Sequence, residues 1–280
     1  MKRIYLNLKR FDVTPEFGGV NRLADPRAWG AAVVDALQDG VTELSDRAHF
    51  AAFLPEAHLI SATGALKEGS ALHVGCQGIH RATTAPGGNF GAFTSLRPAS
   101  AMVQLGVDSV LIGHCEERNA LREVMAAVGV EGTDAAPAVD RLLNEELKRA
   151  VDAGLDVLFC IGEREEEADA WHEVIAAQIE RGLADVDTSK VALAYEPVWS
   201  IGPGKTPAGK EHITRVAELA KERSGGLPVV YGGGLKSDNA EMLASIDAID
   251  GGLIALTRFT GEIGFYPEEY FEIVRLYLGV

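Results

Sequence analysis

Short apolar runs return along the chain, separated by amphipathic stretches. The runs I-Y-L-N-L (4–8), A-H-F-A-A-F-L (48–54), L-H-V-G-C-Q (72–77) and S-V-L-I-G-H-C (109–115) read as strands, as do D-V-L-F-C-I-G (156–162), V-A-L-A-Y-E (191–196), L-P-V-V-Y-G (227–232) and G-G-L-I-A-L (251–256). Several are apolar almost without interruption, the pattern of strands covered on both faces in a parallel sheet. The stretches between them carry the helical period. D-P-R-A-W-G-A-A-V-V-D-A-L sets Asp25 as an N-cap before Pro26 at the first helical position, and V-D-R-L-L-N-E-E-L-K-R-A-V-D-A-G closes on Gly154, suited to a helix C-terminus. P-E-E-Y-F-E-I-V-R-L-Y-L, from Pro267, is the last helical pattern. Eight strand-then-helix units predict an α/β fold, a (β/α)₈ barrel; a doubly wound sheet uses the same alternation and is the alternative. Residues 11–25 and 80–93 read as enlarged loops, and no Pro-, Gly- or Ser-rich linker divides the chain, so one domain over 1–280 is expected.

Composition narrows the function classes. The hydrophobic fraction of 47% over 280 residues is enough for a large core. No run of 18 apolar residues occurs, and M-K-R-I-Y-L-N-L-K-R lacks the apolar stretch and cleavage site of a signal peptide. Cys76, Cys115 and Cys160 are an odd number without C-x-x-C spacing, so they read as free, buried thiols in a reducing compartment, and a cytoplasmic location is expected. The net charge of −15 argues against nucleic acid and anionic membranes as partners. It also repels any phosphorylated metabolite, so local cations and backbone N–H groups would have to overcome that field.

In a parallel barrel, chemistry gathers at the carboxyl ends of the strands. Asn7 and Lys9 stand at the end of the first predicted strand, two residues apart and so expected on one side of it. His114 ends the fourth, Glu196 the sixth, and Gly233 and Gly234 follow the seventh. Each has an ordinary structural explanation alone; their convergence on one rim does not. The Gly204-Lys205-Thr206 triplet invites a nucleotide-binding reading, but the position five before Gly204 is Trp199, where that loop needs glycine, and Pro203 removes an N–H from the cradle. Gly202 and Gly204 between Pro197 and Pro207 read instead as a lid. No H-E-x-x-H, no His/Cys metal cluster, no G-x-S-x-G and no G-x-G-x-x-G after a strand is found. Acid–base chemistry without cofactor or metal is the simplest class left.

A-Y-E-P-V-W-S-I-G-P-G-K-T, I-G-H-C-E-E-R and N-L-K, with L-F-C-I-G-E, G-A-F-T-S and Y-G-G-G-L-K-S-D-N-A, together resemble the triosephosphate isomerase family over nearly the whole chain. The resemblance implies a TIM barrel, usually dimeric, that interconverts dihydroxyacetone phosphate and glyceraldehyde 3-phosphate. It implies Glu196 as general base, His114 as neutral electrophile and Lys9 as the cation beside the enediolate, a scheme that belongs to the family and is borrowed from it. It implies Asn7 and Glu116 as polar residues around the same site and Gly202 as a backbone phosphate contact. Thr94 matches the tip of a third loop that enters the neighbouring subunit.

Departures gather at the phosphate end. Gly234 stands where the family has serine, Ala255 and Leu256 stand where it has two glycines, and Glu117 replaces an arginine. Gly233, Gly234, Ala255 and Leu256 remain the expected substrate-binding positions, and Arg258 is a candidate cation. The expected activity is triose phosphate isomerisation. The alternatives are a four-carbon isomerase of the erythrulose phosphate type and a barrel that binds a sugar phosphate without turning it over.

Overall fold

The computed structural model describes residues 1–131, 134–200 and 207–280. Eight parallel strands close in sequence order into one barrel: β1 (Lys2–Asn7), β2 (Ala48–Leu54), β3 (Leu72–Gln77), β4 (Ser109–Ile112), β5 (Asp156–Ile161), β6 (Val191–Tyr195), β7 (Val229–Tyr231) and β8 (Gly251–Ile254), with β8 pairing back onto β1. Around it lie α1 (Trp29–Glu43), α2 (Glu56–Ala65), α3 (Ala99–Gln104), α4 (Cys115–Ala126), α5 (Ala136–Asp152), α6 (Trp171–Gly182), α7 (Lys210–Ser224), α8 (Ala240–Ala244) and α9 (Pro267–Leu278). Among the described residues no helix is long and apolar enough to cross a membrane.

The uninterrupted apolar runs are explained by two cores. Along β5, Val157, Phe159 and Ile161 pack outward against helices while Leu158 and Cys160 fill the barrel; along β6, Val191, Leu193 and Tyr195 point out while Ala192 and Ala194 point in. Both faces are dry, so both parities are apolar. The interior also takes Tyr5, Ala51, Phe53, Leu111, Val230 and Leu253, a packed filling rather than a channel.

Boundaries differ from the sequence reading where chemistry replaces pattern. Helix α1 starts at Trp29, because Asp25 uses its carboxylate on the Arg27 N–H in a turn ahead of the helix rather than as an N-cap. Strand β4 stops at Ile112; Gly113 turns the chain at φ +76°, and His114 becomes the N-cap of α4. Strand β1 stops at Asn7, and β8 stops at Ile254, leaving Ala255 and Leu256 in the loop beyond it. The enlarged first loop is internally braced: Asp12 pairs with Arg10 and with buried His58 at 3.0 Å, and Asn21 donates to the carbonyls of Asp12 and Ala24. Arg22 ties it to the loop after β8 through the Ile263 carbonyl at 2.8 Å.

Candidate active site

Strand parity aims two groups into the barrel mouth. Asn7 continues the inward parity of Tyr5, and Glu196 that of Ala192 and Ala194. Both are buried. Glycine at the neighbouring rim positions makes the room: a Cβ on Gly162 would sit 1.9 Å from the Glu196 carbonyl oxygen, and one on Gly232 would sit 2.8 Å from its Cγ.

The Glu196 carboxylate is held by two donors. The Cys115 backbone N–H reaches Oε2 at 3.0 Å, and His114 Nε2 lies 3.0 Å from Oε1. The other ring nitrogen, Nδ1, accepts the Glu116 backbone N–H at 3.2 Å, in the first turn of α4. A nitrogen that accepts carries no proton, so the proton sits on Nε2 and the ring is a neutral donor aimed at the carboxylate. Cys115 contributes its backbone here. Burial first, and the Glu196 charge second, push its thiol up to about 12, so it stays a thiol. Among the described residues, His114, Cys115 and Glu196 are also the one His/Cys/carboxylate group whose ligand atoms lie within 4.8 Å of one another, but the lone pairs facing this space are engaged by the hydrogen bonds just given.

Lys9 arrives by a different route from the one its spacing suggested. It lies past the end of β1 at φ +40°, and its N–H is bonded to Asn7 Oδ1 at 3.1 Å, so a turn and not strand alternation brings the two together. Its ammonium pairs with Glu116 at 2.7 Å. Burial alone would raise the Glu116 carboxyl; the hydrogen bond and charge of Lys9 outweigh it and hold the group below its ordinary value. Gln77, at the end of β3, donates to Asn7 Oδ1 and to the Lys9 and Phe53 carbonyls at 3.1–3.2 Å, fixing the turn from beneath.

Two further groups were not assigned from sequence. Arg118 is buried and donates to the Gly113 carbonyl at 2.8 Å, the Cys160 carbonyl at 2.9 Å and Asp140 at 2.9 Å, so it clamps the ends of β4 and β5 to α5. Glu163, with no exposure at all, accepts from Trp199 Nε1 at 2.6 Å and Tyr195 Oη at 2.9 Å, and so secures the turn Val198–Ser200. Both stand in quoted motifs, I-G-H-C-E-E-R and L-F-C-I-G-E, yet a motif letter does not reveal which buried partner it meets.

At the far end, Gly233 and Gly234 lie just beyond Gly232, which abuts Glu196, while Ala255 and Leu256 begin the loop after β8 as partly buried residues. Arg258 is not the free cation suggested by sequence. It is engaged by Glu269 and stacks on Tyr266, with its guanidinium 3.7 Å from the ring centroid. Gly202, with the rest of 201–206, lies outside the described residues.

This arrangement agrees with what comparison with known proteins finds. A family model described as triosephosphate isomerase matches residues 27–263. A relative named triosephosphate isomerase from Treponema pallidum (strain Nichols) is 33% identical over 237 residues, covering 80% of this chain and 87% of its own. One of the same name from Geobacter metallireducens is 36% identical over 177 residues, covering 59% and 64%. In fold, a crystal structure of triosephosphate isomerase from Bartonella henselae matches with a TM-score of 0.71 at 22% identity, over 99% of this chain and 98% of that one. The chain belongs to the triosephosphate isomerase family, and it is an isomerase.

Proposed function

We propose that this chain interconverts dihydroxyacetone phosphate and glyceraldehyde 3-phosphate through an enediolate, with Glu196 as base and His114 as electrophile. The observation that carries the reading is the buried Glu196 carboxylate 3.0 Å from a ring nitrogen whose proton is fixed by the opposite hydrogen bond. A C–H beside a carbonyl loses its proton to a carboxylate only if charge on the carbonyl oxygen is stabilised as it forms. When substrate carbonyl oxygen takes the Nε2–H of His114, Oε1 of Glu196 is released to accept the carbon-bound proton. His114 transfers a proton to one substrate oxygen and recovers one from the other; Glu196 returns its proton to the adjacent carbon, so protons balance with no cofactor. Lys9 supplies positive charge near the oxygens, and Glu116 holds its ammonium in place. Asn7 fixes the Lys9 turn.

The chain also fits a cytoplasmic homodimer. All three cysteines are free. Phe90 in the third loop is 91% exposed and Phe17 in the first is 86% exposed, an apolar cost that a partner subunit would relieve. The rebuilt residues Gly234, Ala255 and Leu256 favour one competing substrate, a four-carbon ketose phosphate used by the same route.

The test is turnover of glyceraldehyde 3-phosphate against erythrulose phosphates, in deuterium oxide. The triose should be preferred, with solvent deuterium appearing at the carbon beside the carbonyl. Preference for the four-carbon substrate would move the assignment; no exchange into either would remove it. Glu196→Asp withdraws the carboxylate by about an ångström and should lower kcat about 100-fold.

A further inference from the structure

The distal end of the site departs from the family resemblance: Gly234 brings no hydroxyl, and Ala255 and Leu256 add side chains beside their backbone N–H groups. Position 234 is nonetheless bordered by a cation. A Cβ built there would meet one neighbour, Lys236 Cε, at 3.4 Å, an ordinary van der Waals contact. The lysine stem therefore passes beside the place where the hydroxyl would stand. Its path is set by a locked turn: the Lys236 N–H donates to Asn239 Oδ1 at 2.8 Å, and Asn239 Nδ2 returns to the Gly234 carbonyl at 2.9 Å. The ammonium ends 4.2 Å from the centroid of the Phe259 ring, carried by the loop after β8.

Among the described residues, the neighbouring cations are committed. Lys9 is paired with Glu116, Arg22 with Glu262, and Arg258 with Glu269. Among the described residues Lys236 has no carboxylate partner, on a molecule of net charge −15. An ammonium on an aromatic face is partly desolvated yet keeps donors free, because the ring attracts it without taking a hydrogen bond. Phe259 is 45% exposed, so the pair opens to solvent between the loops after β7 and β8. Four residues before Lys236 in the same loop, Gly232 abuts the Glu196 side chain, so the loop that carries this cation also borders the base.

We propose that Lys236, seated on Phe259, is the group that binds the anionic end of the substrate, a side-chain cation in place of the missing hydroxyl. This rests on the sugar-phosphate reading above. Such a contact acts equally on ground and transition states, so it sets binding more than the chemical step.

Inorganic phosphate is the probe, since it tests the site without turnover. Phosphate binding, followed by calorimetry, should weaken at least tenfold in Lys236→Met and about threefold in Phe259→Ala, while Lys236→Arg stays near wild type. KM for the phosphorylated substrate should rise with Lys236→Met and kcat should stay within about threefold. Unchanged phosphate binding and KM in Lys236→Met, with wild type binding phosphate, would overturn the assignment of Lys236 alone. Wild-type protein that binds neither phosphate nor any sugar phosphate would overturn both this assignment and the isomerase reading beneath it.

Discussion

Replacing Arg118 by methionine should be among the most damaging single changes outside the site itself. The guanidinium is almost fully buried, and so is its partner Asp140, at 3% and 2% exposure. Methionine keeps the stem against Phe159, over which the guanidinium lies at 5.5 Å, but removes three donors. Asp140 then keeps one ion pair, the half-exposed Arg181 at 3.3 Å, and the Gly113 and Cys160 carbonyls lose their side-chain donor. Breaking a buried pair by removing one partner costs about 3–5 kcal/mol, and the remaining Arg181 contact places this case near 4. For a domain of this size that is a fall in Tm of roughly 10 °C. Because Gly113 immediately precedes His114, kcat should fall as well. Thermal and urea unfolding of wild type, Arg118→Met, Asp140→Leu and the double variant close a double-mutant cycle. The double variant, with no buried charge left, should regain most of the loss. A single variant within about 1 kcal/mol of wild type, or a double variant no better than the single, would refute the argument that a stranded carboxylate is the source of the cost.

Burial, and then the Glu117 carboxylate, push the Glu146 carboxyl up to about 9 from an ordinary 4.5, with Arg81 and Arg97 opposing. The folded state therefore holds a proton that the unfolded chain releases. Stability should be greatest below about pH 4.5 as far as this group is concerned, and should fall toward pH 9 by at most about 1.4 kcal/mol per unit. Glu146→Gln should flatten the Tm profile across that window, and a wild-type profile no steeper than the variant's would contradict the assignment. Cys76, buried and pushed up to about 12, Cys160, pushed well above its ordinary value by burial, and Cys115 should all resist iodoacetamide at neutral pH and react fully in urea; mass spectrometry showing rapid labelling of folded Cys115 would overturn the thiol assignment. Phe90→Asp should shift elution from twice the 29.8 kDa chain mass toward once, and a wild-type protein that already elutes at chain mass would remove the homodimer from the proposal.

The barrel was readable because several strands are dry on both sides, so the runs at 157–161 and 191–195 had no polar parity to blur them. What failed was local. Alternation assigned Lys9 to the side of Asn7, but the strand had ended and the Asn7 side chain, not the pleat, set the geometry. Asp25 looked like an N-cap and closed a turn instead. Glu196 and His114 were findable because each closes an apolar run and stands in a long motif, although His114 turns out to cap a helix past the end of β4. Gln77, Glu163 and Arg118 were not, since what they do is decided by partners 22 to 70 residues away in the chain or by carbonyls that no letter shows. The role of Arg258 was open in the sequence for the same reason: its partner Glu269 sits in α9, beyond a hairpin that pattern does not reveal.

The same distinction orders the site. Glu196 and His114 are oriented by main-chain groups, the Cys115 and Glu116 N–H bonds, at positions where rim glycines forbid any larger side chain. Proton transfer needs reacting atoms placed within a fraction of an ångström, and backbone donors in the first turn of a helix give that precision without side-chain entropy. The far end needs charge more than precision. A lysine on a four-carbon stem, resting on an aromatic ring, can supply charge across a range of positions. Loss of a hydroxyl at 234 and gain of side chains at 255 and 256 are therefore tolerable at that end alone, and on a chain of net charge −15 a cation there, without a carboxylate partner among the described residues, offsets the repulsion that an anionic substrate meets on approach.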